Sequence, residues 1–189
     1  QGTPYVILPG VPFEMKHVMQ ERVLPRLAAR SSGQAVVHRT VLTGGIGESF
    51  LAEQIADIEN ALPPHIRLAY LPKPGFVRLR LTAVGTDQAA LEQETSRIAE
   101  LFRERLGAYF LADRDITLEA LLQETLIAYG LRLSTAESCT GGNIARLITA
   151  IPGSSKYFEG GAVTYSNALK QHLLGVREDT LATHGAVSE

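Results

Sequence analysis

A stretch in the last third of the chain constrains the fold most, because an apolar strand pattern breaks there into small hydroxylated residues and glycines before a helical pattern begins. Residues 131–136 predict a strand, residues 134–142 (STAESCTGG) contain the break, and residues 143–150 predict a helix. Such a turn presents N–H groups and hydroxyls at a helix N-terminus, where the dipole favours an anion or a developing oxyanion. We expect Ser138 at this turn. The alternative interpretation is that Ser138 and Thr140 only cap the helix.

A second segment, residues 160–170 (GGAVTYSNALK), repeats this arrangement. A short strand again runs into a helix and places Tyr165 and Lys170 near the helix start. The ends of two such strands can face one cleft. The pattern therefore predicts an α/β domain from residue 114 to residue 189, with its chemistry at the two strand ends.

Three further elements of this domain are predicted from local pattern. Residues 157–158 are expected to form a helical turn before a bend at Gly160 and Gly161, and residues 167–174 form a helix that ends at Gly175. Residues 117–129 predict a helix with one apolar stripe, which should belong to the core. The stripe consists of Leu118, Leu121, Leu122, Leu126 and Tyr129.

The middle of the chain, residues 33–113, alternates differently and predicts an α+β fold. Its order is strand, helix, strand, strand, helix, strand, which gives a two-layer sandwich with both helices over one face of the sheet. The predicted strands are residues 35–42, 66–71, 76–84 and 108–111, and the predicted helices are residues 48–62 and 88–106.

The beginning of the chain resembles the end of another domain. Residues 5–8 predict a buried strand, residues 9–12 (PGVP) a turn, and the residues after them, as far as Leu27, an apolar-faced helix. Gln1 is not an initiator Met, and residues 5–8 look like an interior strand. We therefore expect the chain to be a fragment.

Four unusual blocks occur in order in the last domain, and together they carry a family resemblance. They are AESCTGG at 136–142, TYSNALK at 164–170, LLGV at 173–176 and HGAVSE at 184–189. These blocks closely resemble the start of the C-terminal domain of the CinA family, which is known as a nicotinamide mononucleotide deamidase. The resemblance implies an amide hydrolase that acts on a pyridine nucleotide, with residues 114–189 as the first part of its domain.

The same family resemblance extends to the rest of the chain. The block LPGVPFEMK at residues 8–16 resembles the end of the molybdopterin-binding-like N-terminal domain of CinA proteins, which assigns residues 1–32 to that domain. A metal-dependent ADP-ribose pyrophosphatase activity is known for it, so a divalent metal is a possible cofactor there. None is expected for the deamidase. The middle region is described as KH-like in this family.

The KH-like label raises an alternative function as an RNA-binding or adaptor module. Residues 44–47 (GGIG) fit a GxxG pattern but link a strand to a helix, whereas the RNA-clamping loop of KH domains lies between helices. Residues 61–85 contain no Asp or Glu, and Arg78 and Arg80 share one strand face that can attract phosphate or simply be solvated. No aromatic residues interleave with the arginines to stack bases, so nucleic acid is not an expected partner.

The composition adds limits on compartment and partners. At 45% hydrophobic and 20% charged residues with a net charge of −2, the chain has no global attraction to nucleic acid or to anionic membranes. A single cysteine excludes an intramolecular disulfide and favours a cytoplasmic location. No apolar run approaches the roughly 18 residues of a membrane span. We expect a small nucleotide substrate, a homodimer and no membrane partner.

Hydrolysis of a carboxamide needs a nucleophile, a base and donors for the oxyanion. Ser138 is the predicted nucleophile and Lys170 the predicted base, because the first turn of a helix and burial both disfavour a charged amine there. Tyr165 is predicted to relay a proton or to orient Lys170, although a packed aromatic with a hydrogen-bonded hydroxyl is an equal alternative. We expect the Ser138 hydroxyl and the Lys170 amine within about 3 to 4 Å of each other.

The remaining residues of the turn are assigned to the substrate. Glu137 is predicted to hold the turn through backbone N–H groups, and Thr140, Gly141 and Gly142 supply donors for an oxyanion or for the nucleotide phosphate. Cys139, beside Ser138, is an alternative nucleophile without an adjacent His as base. No histidine has metal-ligand spacing, so no metal site is predicted in this domain.

Overall fold

The computed structural model describes residues 4–29 and 33–187. The chain divides into two compact units, Gln1–Asp115 and Ile116–Glu189. Within the described residues, no helix combines the length and the apolar composition that crossing a membrane requires.

The first described segment is helical but contains no strand. The prediction of a strand at residues 5–8 is wrong, since residues 4–9 have no regular structure and the Tyr5 and Ile7 side chains are 92% and 96% exposed. A strand needs a neighbour for its N–H and C=O groups. No strand in the described part of the chain pairs with these residues.

The helix that follows is interrupted by one wider turn. Helix α1 spans Pro12–Val18, a π-helical turn spans Met19–Val23, and α2 spans Leu24–Ala28. Pro25 explains the interruption, because proline has no N–H to donate to the carbonyl of Glu21 and its ring crowds that carbonyl.

The middle of the chain confirms the predicted strand and helix order. All neighbouring strands are antiparallel, in the order β2-β3-β1-β4, and helices cover one face. The elements are β1 (Ala35–Gly44), α3 (Glu48–Asn60), β2 (Ile66–Lys73), β3 (Phe76–Gly85), α4 (Gln88–Leu106) and β4 (Phe110–Ala112). The last strand begins later than predicted, because Gly107–Tyr109 forms a 3₁₀ turn.

Alternation along β3 separates a buried face from an open one. Val77, Leu79, Leu81 and Ala83 are at most 3% exposed and join one core, whereas Arg80 between them is exposed. The core is completed by apolar side chains of the two helices, namely Leu51, Ile55, Leu91, Ile98, Ala99, Phe102 and Leu106. Period-two burial of this kind fixes the register of the sheet, because a slip of one residue would expose the whole apolar face.

The two neighbours of β1 cover it unequally. Strand β3 pairs with β1 along its full length, from Ala35 opposite Gly85 to Gly44 opposite Phe76. Strand β4 pairs only with Leu42 and Thr43, where the register shifts. The first seven residues of β1 therefore form an edge of the sheet on that side, among the strands that the structure describes.

The GxxG segment links β1 to α3, as the sequence predicts. Gly45 turns the chain with a φ of +73°, and Gly47 is the N-cap of α3 with extended backbone. The segment therefore joins a strand to a helix and does not have the position of an RNA-clamping loop between helices.

The second unit contains a parallel pair of strands. Its elements are α5 (Leu118–Ala128), β5 (Leu133–Glu137), α6 (Asn143–Thr149), β6 (Phe158–Val163), α7 (Asn167–Leu174) and α8 (Glu178–His184). The strands β5 and β6 pair in parallel, with Thr135 opposite Gly161. Helix α7 has the predicted bounds and ends at Gly175, which has a φ of +68°.

Two local predictions in this unit are wrong. Phe158 does not belong to a helical turn, and Gly160 and Gly161 do not form a bend, because all three lie within β6. A Cβ at position 161 would lie 2.4 Å from the Oγ1 atom of Thr135. Glycine is therefore needed here to let two strands approach closely rather than to turn the chain.

The apolar stripe of α5 is only half buried, which corrects the prediction that it belongs to the core. Leu118 and Leu122 are each 37% exposed and Tyr129 is 75% exposed. The sheet of this unit has two strands in the described residues, and so narrow a sheet offers little area to cover a helix. Thr117 caps the helix as expected, accepting a hydrogen bond from the N–H of Ala120 at 3.2 Å.

The core of the sandwich gives a direct test of the burial pattern. We expect Leu79→Ala to lower the free energy of unfolding by about 3 kcal/mol, because it leaves a cavity where the side chain is fully buried. Arg80→Ala, one position along on the open face, should change it by less than about 0.5 kcal/mol. Urea unfolding followed by circular dichroism measures both. Equal losses in the two variants would contradict the assignment of faces.

Candidate active site

The candidate site lies where β5 and β6 end. Parallel neighbours have their carboxyl ends at one edge of a sheet, so Ser138 after β5 and Thr164 after β6 come close together. The cap of α7 then brings in the lysine. Ser166 accepts a hydrogen bond from the N–H of Leu169 at 3.2 Å and starts the helix on which Lys170 is the fourth residue.

The Lys170 amine is buried and has three oxygen neighbours. Its Nζ lies 3.0 Å from Ser138 Oγ, 2.6 Å from the carbonyl of Thr164 and 3.1 Å from the carbonyl of Tyr165. The residue is 8% exposed. The expected proximity of the hydroxyl and the amine is therefore present in the structure.

These three contacts define what the amine can do. The two carbonyls accept two of its N–H groups, so the remaining position of the nitrogen faces Ser138 Oγ. An ammonium donates a proton to the hydroxyl oxygen there, and a neutral amine accepts the hydroxyl proton through its lone pair. Among the described residues no carboxylate forms an ion pair with Lys170.

The carboxylate of Glu137 binds backbone N–H groups of the protein itself. Its Oε2 accepts the N–H of Ile144 and its Oε1 accepts the N–H of Ala145, each at 2.9 Å, and the residue is 3% exposed. The prediction that Glu137 holds the turn through N–H groups describes this arrangement. The structure does not place Glu137 in contact with a substrate, because both of its carboxylate oxygens already accept N–H groups at the start of α6.

The surroundings of Glu137 also set its ionisation. Desolvation alone would raise the pKa of this carboxyl. Hydrogen bonds from the N–H groups of Ala145 and Ile144, the hydroxyl of Thr140 and the N–H of Gly142 outweigh it and lower the pKa below its ordinary value. The carboxylate form is therefore the one that the fold stabilises.

The turn between β5 and α6 is shaped by its two glycines. Gly141 and Gly142 have φ values of +59° and +90°, which other residues rarely adopt. The N–H of Gly141 donates to the carbonyl of Ser138 at 3.0 Å. Thr140, Gly141 and Gly142 thus build the turn, and the Thr140 hydroxyl and the Gly142 N–H also serve Glu137.

Two donors of this turn have no acceptor within the described part of the chain. They are the backbone N–H groups of Cys139 and Thr140, which directly follow Ser138. Unpaired N–H groups next to a hydroxyl are the arrangement that binds an oxyanion in acyl transfer. The sequence predicts donor groups in this turn, but not these two in particular.

Thr164 is the residue that the sequence analysis missed. It is 2% exposed, its N–H donates to the carbonyl of Glu137 at 2.8 Å, and its own carbonyl accepts from Lys170. It therefore connects the end of β5 to the lysine. The only signal in the sequence is its position, since a main-chain acceptor has no residue preference.

The Tyr165 side chain does not have its predicted place. It is 73% exposed, and within the described residues its hydroxyl makes no hydrogen bond with Lys170 or Ser138. The backbone carbonyl of Tyr165 contacts the lysine instead. Side chains alternate at a strand end, so an inward Thr164 turns its neighbour outward.

The remaining candidates stay outside this arrangement. Cys139, the only cysteine of the chain, is exposed, and the Lys170 amine contacts Ser138 rather than the thiol. In residues 4–29 and 33–187 no group of three His, Cys, Asp or Glu side chains is placed to hold a metal ion.

Glu137 gives a prediction about acid stability. Its lowered pKa means that its contribution is fully present above the ordinary glutamate range, near pH 4.3, and is lost as pH falls through the folded value. We expect Glu137→Gln to lower the melting temperature at pH 7 and to narrow its difference from the unmodified chain toward pH 3. Thermal melts between pH 3 and pH 7 test this.

The matched control is Glu159→Gln on β6, whose carboxylate forms only an exposed ion pair with Arg132. It should leave the melting temperature nearly unchanged at every pH. A Glu137→Gln variant that behaves like this control would show that the buried carboxylate does not stabilise the turn.

Comparison with protein families matches most of the chain in two parts. Residues 38–112 match the Damage-inducible protein CinA KH domain, and residues 115–189 match the CinA C-terminal domain. The two matches are consecutive and do not overlap.

Two curated relatives agree with these matches. CinA-like proteins of Chloroherpeton thalassium and Flavobacterium psychrophilum are 47% and 42% identical over all 189 residues, which cover 45% of each relative. The crystal structure of the competence damage-inducible protein A from Klebsiella pneumoniae is 49% identical, with a TM-score of 0.38, and the match covers 38% of this chain and 45% of that one.

The chain thus spans about 45% of the length of the curated relatives that it matches. The two family matches, in the order in which the sandwich and the parallel strand pair follow each other, lead to one conclusion: the chain belongs to the CinA family.

Proposed function

We propose that the protein hydrolyses the carboxamide of nicotinamide mononucleotide, giving nicotinic acid mononucleotide and ammonia, with Ser138 as nucleophile and Lys170 as base. The reaction class is the one that the sequence resemblance implies for the C-terminal domain. The observation that carries the proposal is the 3.0 Å distance between Lys170 Nζ and Ser138 Oγ. A nucleophile and its base need this separation.

In the first half of the reaction the neutral Lys170 amine takes the Ser138 proton while Oγ attacks the carboxamide carbon. The carbonyls of Thr164 and Tyr165 keep the lone pair of the amine directed at Oγ. The tetrahedral intermediate collapses when the lysine returns the proton to the leaving nitrogen. Ammonia leaves, and an ester between the substrate acyl group and Ser138 remains.

In the second half water takes the place of the serine hydroxyl. Lys170 accepts a proton from water, the hydroxide attacks the ester carbon, and the proton then returns to Ser138 Oγ. The products are the nucleotide carboxylic acid and the free hydroxyl. Protein groups and water complete the cycle, so we propose no cofactor for it.

The oxyanion of both intermediates needs donors beside Ser138. The N–H groups of Cys139 and Thr140 support this role, since they follow the nucleophile and lack acceptors among the described residues. The N–H groups of Gly141 and Gly142 already donate to Ser138 and Glu137, so these glycines shape the turn rather than contact the nucleotide directly. Glu137 contributes indirectly by fixing the turn that carries these donors.

The nucleophile and base give a prediction for turnover. We expect Ser138→Ala and Lys170→Ala each to reduce ammonia release from nicotinamide mononucleotide by several orders of magnitude, because each removes one half of a single proton-transfer unit. The double variant should be scarcely slower than either. Since the chain covers 45% of its relatives, the assay uses a protein of the relatives' length that carries these residues.

Ser134→Ala, an exposed serine on β5, is the matched control and should keep normal turnover. If Ser138 only capped a helix, Ser138→Ala would retain near-normal turnover and lose about 1 kcal/mol of stability. That result would end the assignment of Ser138 as nucleophile.

The lysine allows a sharper test of its role. Lys170→Arg keeps the positive charge but cannot accept a proton near neutral pH. We expect it to be as slow as Lys170→Ala in steady-state ammonia release, while thermal melts show a folded protein. Substantial activity in Lys170→Arg would indicate a charge that binds phosphate instead of a base. Lys156→Arg, an exposed lysine before β6, serves as its control.

A further inference from the structure

A cavity of about 460 Å³ lies at the edge of the four-stranded sheet. Its lining residues belong to the first unit, whereas the candidate active site belongs to the second. The cavity is lined by residues 38–40 of β1, Arg80 of β3 and residues 113–115 after β4. The cavity exists because β4 pairs with β1 only at Leu42 and Thr43 and the chain then leaves the sheet. Thr40 and Arg80 are register partners, so their side chains lie on one face.

The lining of the cavity carries more positive than negative charge. Arg39, Arg80 and Arg114 contribute three guanidinium groups, whereas Asp113 and Asp115 contribute two carboxylates. His38 adds a ring whose Nδ1 lies 3.0 Å from the hydroxyl of Thr82.

Arginines outside the cavity offset both of these carboxylates. Asp113 lies 3.8 Å from Arg103 on α4, and Asp115 lies 3.4 Å from Arg78 on β3. Asp113 also lies 3.8 Å from Arg39 of the lining, whereas Arg80 has no carboxylate partner among the described residues. Arg80 therefore gives the lining a positive group that attracts anions.

Two of the lining arginines have donors to offer. Arg80 is exposed and makes no ion pair or hydrogen bond with any residue that the structure describes. The Nε of Arg39 is buried and has no hydrogen-bond partner, and its nearest carboxylate oxygen, on Asp113, is 3.8 Å from Nη1. A buried N–H without an acceptor is costly. Arg39 pairs in register with Leu81, so its side chain leaves β1 on the face opposite Arg80, and Arg80 is the arginine placed to contact a ligand on the open face.

We propose that this cavity binds the phosphate group of a small phosphorylated ligand. A guanidinium presents a planar fork of donors that fits phosphate oxygens, and Arg80 is placed to supply it. The volume lies within the range of small-ligand sites. A nucleic-acid backbone would offer the same chemistry, but the lining has no aromatic side chain on which successive bases would stack.

The test uses the 189-residue chain at low ionic strength, with inorganic pyrophosphate as the probe. Isothermal titration should show saturable binding of one pyrophosphate at this cavity, and Arg80→Ala should weaken it at least about fivefold, as expected for loss of a charge-assisted pair. Arg67→Ala, an exposed arginine on β2 outside the cavity, is the matched control and should change the affinity less than about twofold.

Amide chemical shifts locate the bound probe independently of the variants. Shifts at residues 38–40, 80 and 113–115 are expected, and a response confined to residues 138–146 would overturn the proposal. Equal weakening by the Arg67 and Arg80 variants would overturn it as well, since it indicates diffuse surface charge. A twelve-nucleotide single-stranded RNA forms the second arm of the test, and much tighter binding of that RNA than of pyrophosphate, lost steeply with salt, would assign the face to nucleic acid instead.

Discussion

A carboxylate taken out of water must be matched by hydrogen-bond donors, and the second unit is arranged around one such group, that of Glu137. Its two oxygens bind the first free N–H groups of α6, and its carbonyl binds Thr164. The turn that carries Ser138 and the strand end that holds Lys170 are therefore both attached to this single residue. The helix start, which the sequence indicated as an anion site, already has its anion from within the chain.

Those features of the fold that depend on local periodicity were predictable from sequence. The alternation of β3 and the helical spacing of α4 depend on residues close to each other in the chain, and both elements have nearly the predicted bounds. The wrong predictions concern residues whose structure depends on a distant neighbour. Among the described residues, residues 5–8 lack a partner strand, and the apolar stripe of α5 is only half covered.

In the candidate site, too, some features were predictable from sequence and others depended on the path of the chain. Ser138 and Lys170 were identifiable because two strand-to-helix turns can face one cleft, and the structure brings the two side chains together at the carboxyl ends of two parallel strands. Tyr165 was assigned through its hydroxyl, yet its carbonyl is what contacts the amine. Main-chain acceptors have no signature in residue type, so neither this contact nor that of Thr164 was visible before the path of the chain was known.

The two carbonyls that hold Lys170 belong to the backbone, which every residue type supplies. Alanine substitutions therefore leave these two carbonyl acceptors in place, and side-chain substitutions would reveal only the role of the lysine. The contacts to Lys170 do depend on the number of residues in this connection. An insertion or deletion between Val163 and Ser166 would rotate both acceptors away from the amine without altering any reactive group. We therefore expect this connection to tolerate substitutions but not changes in length.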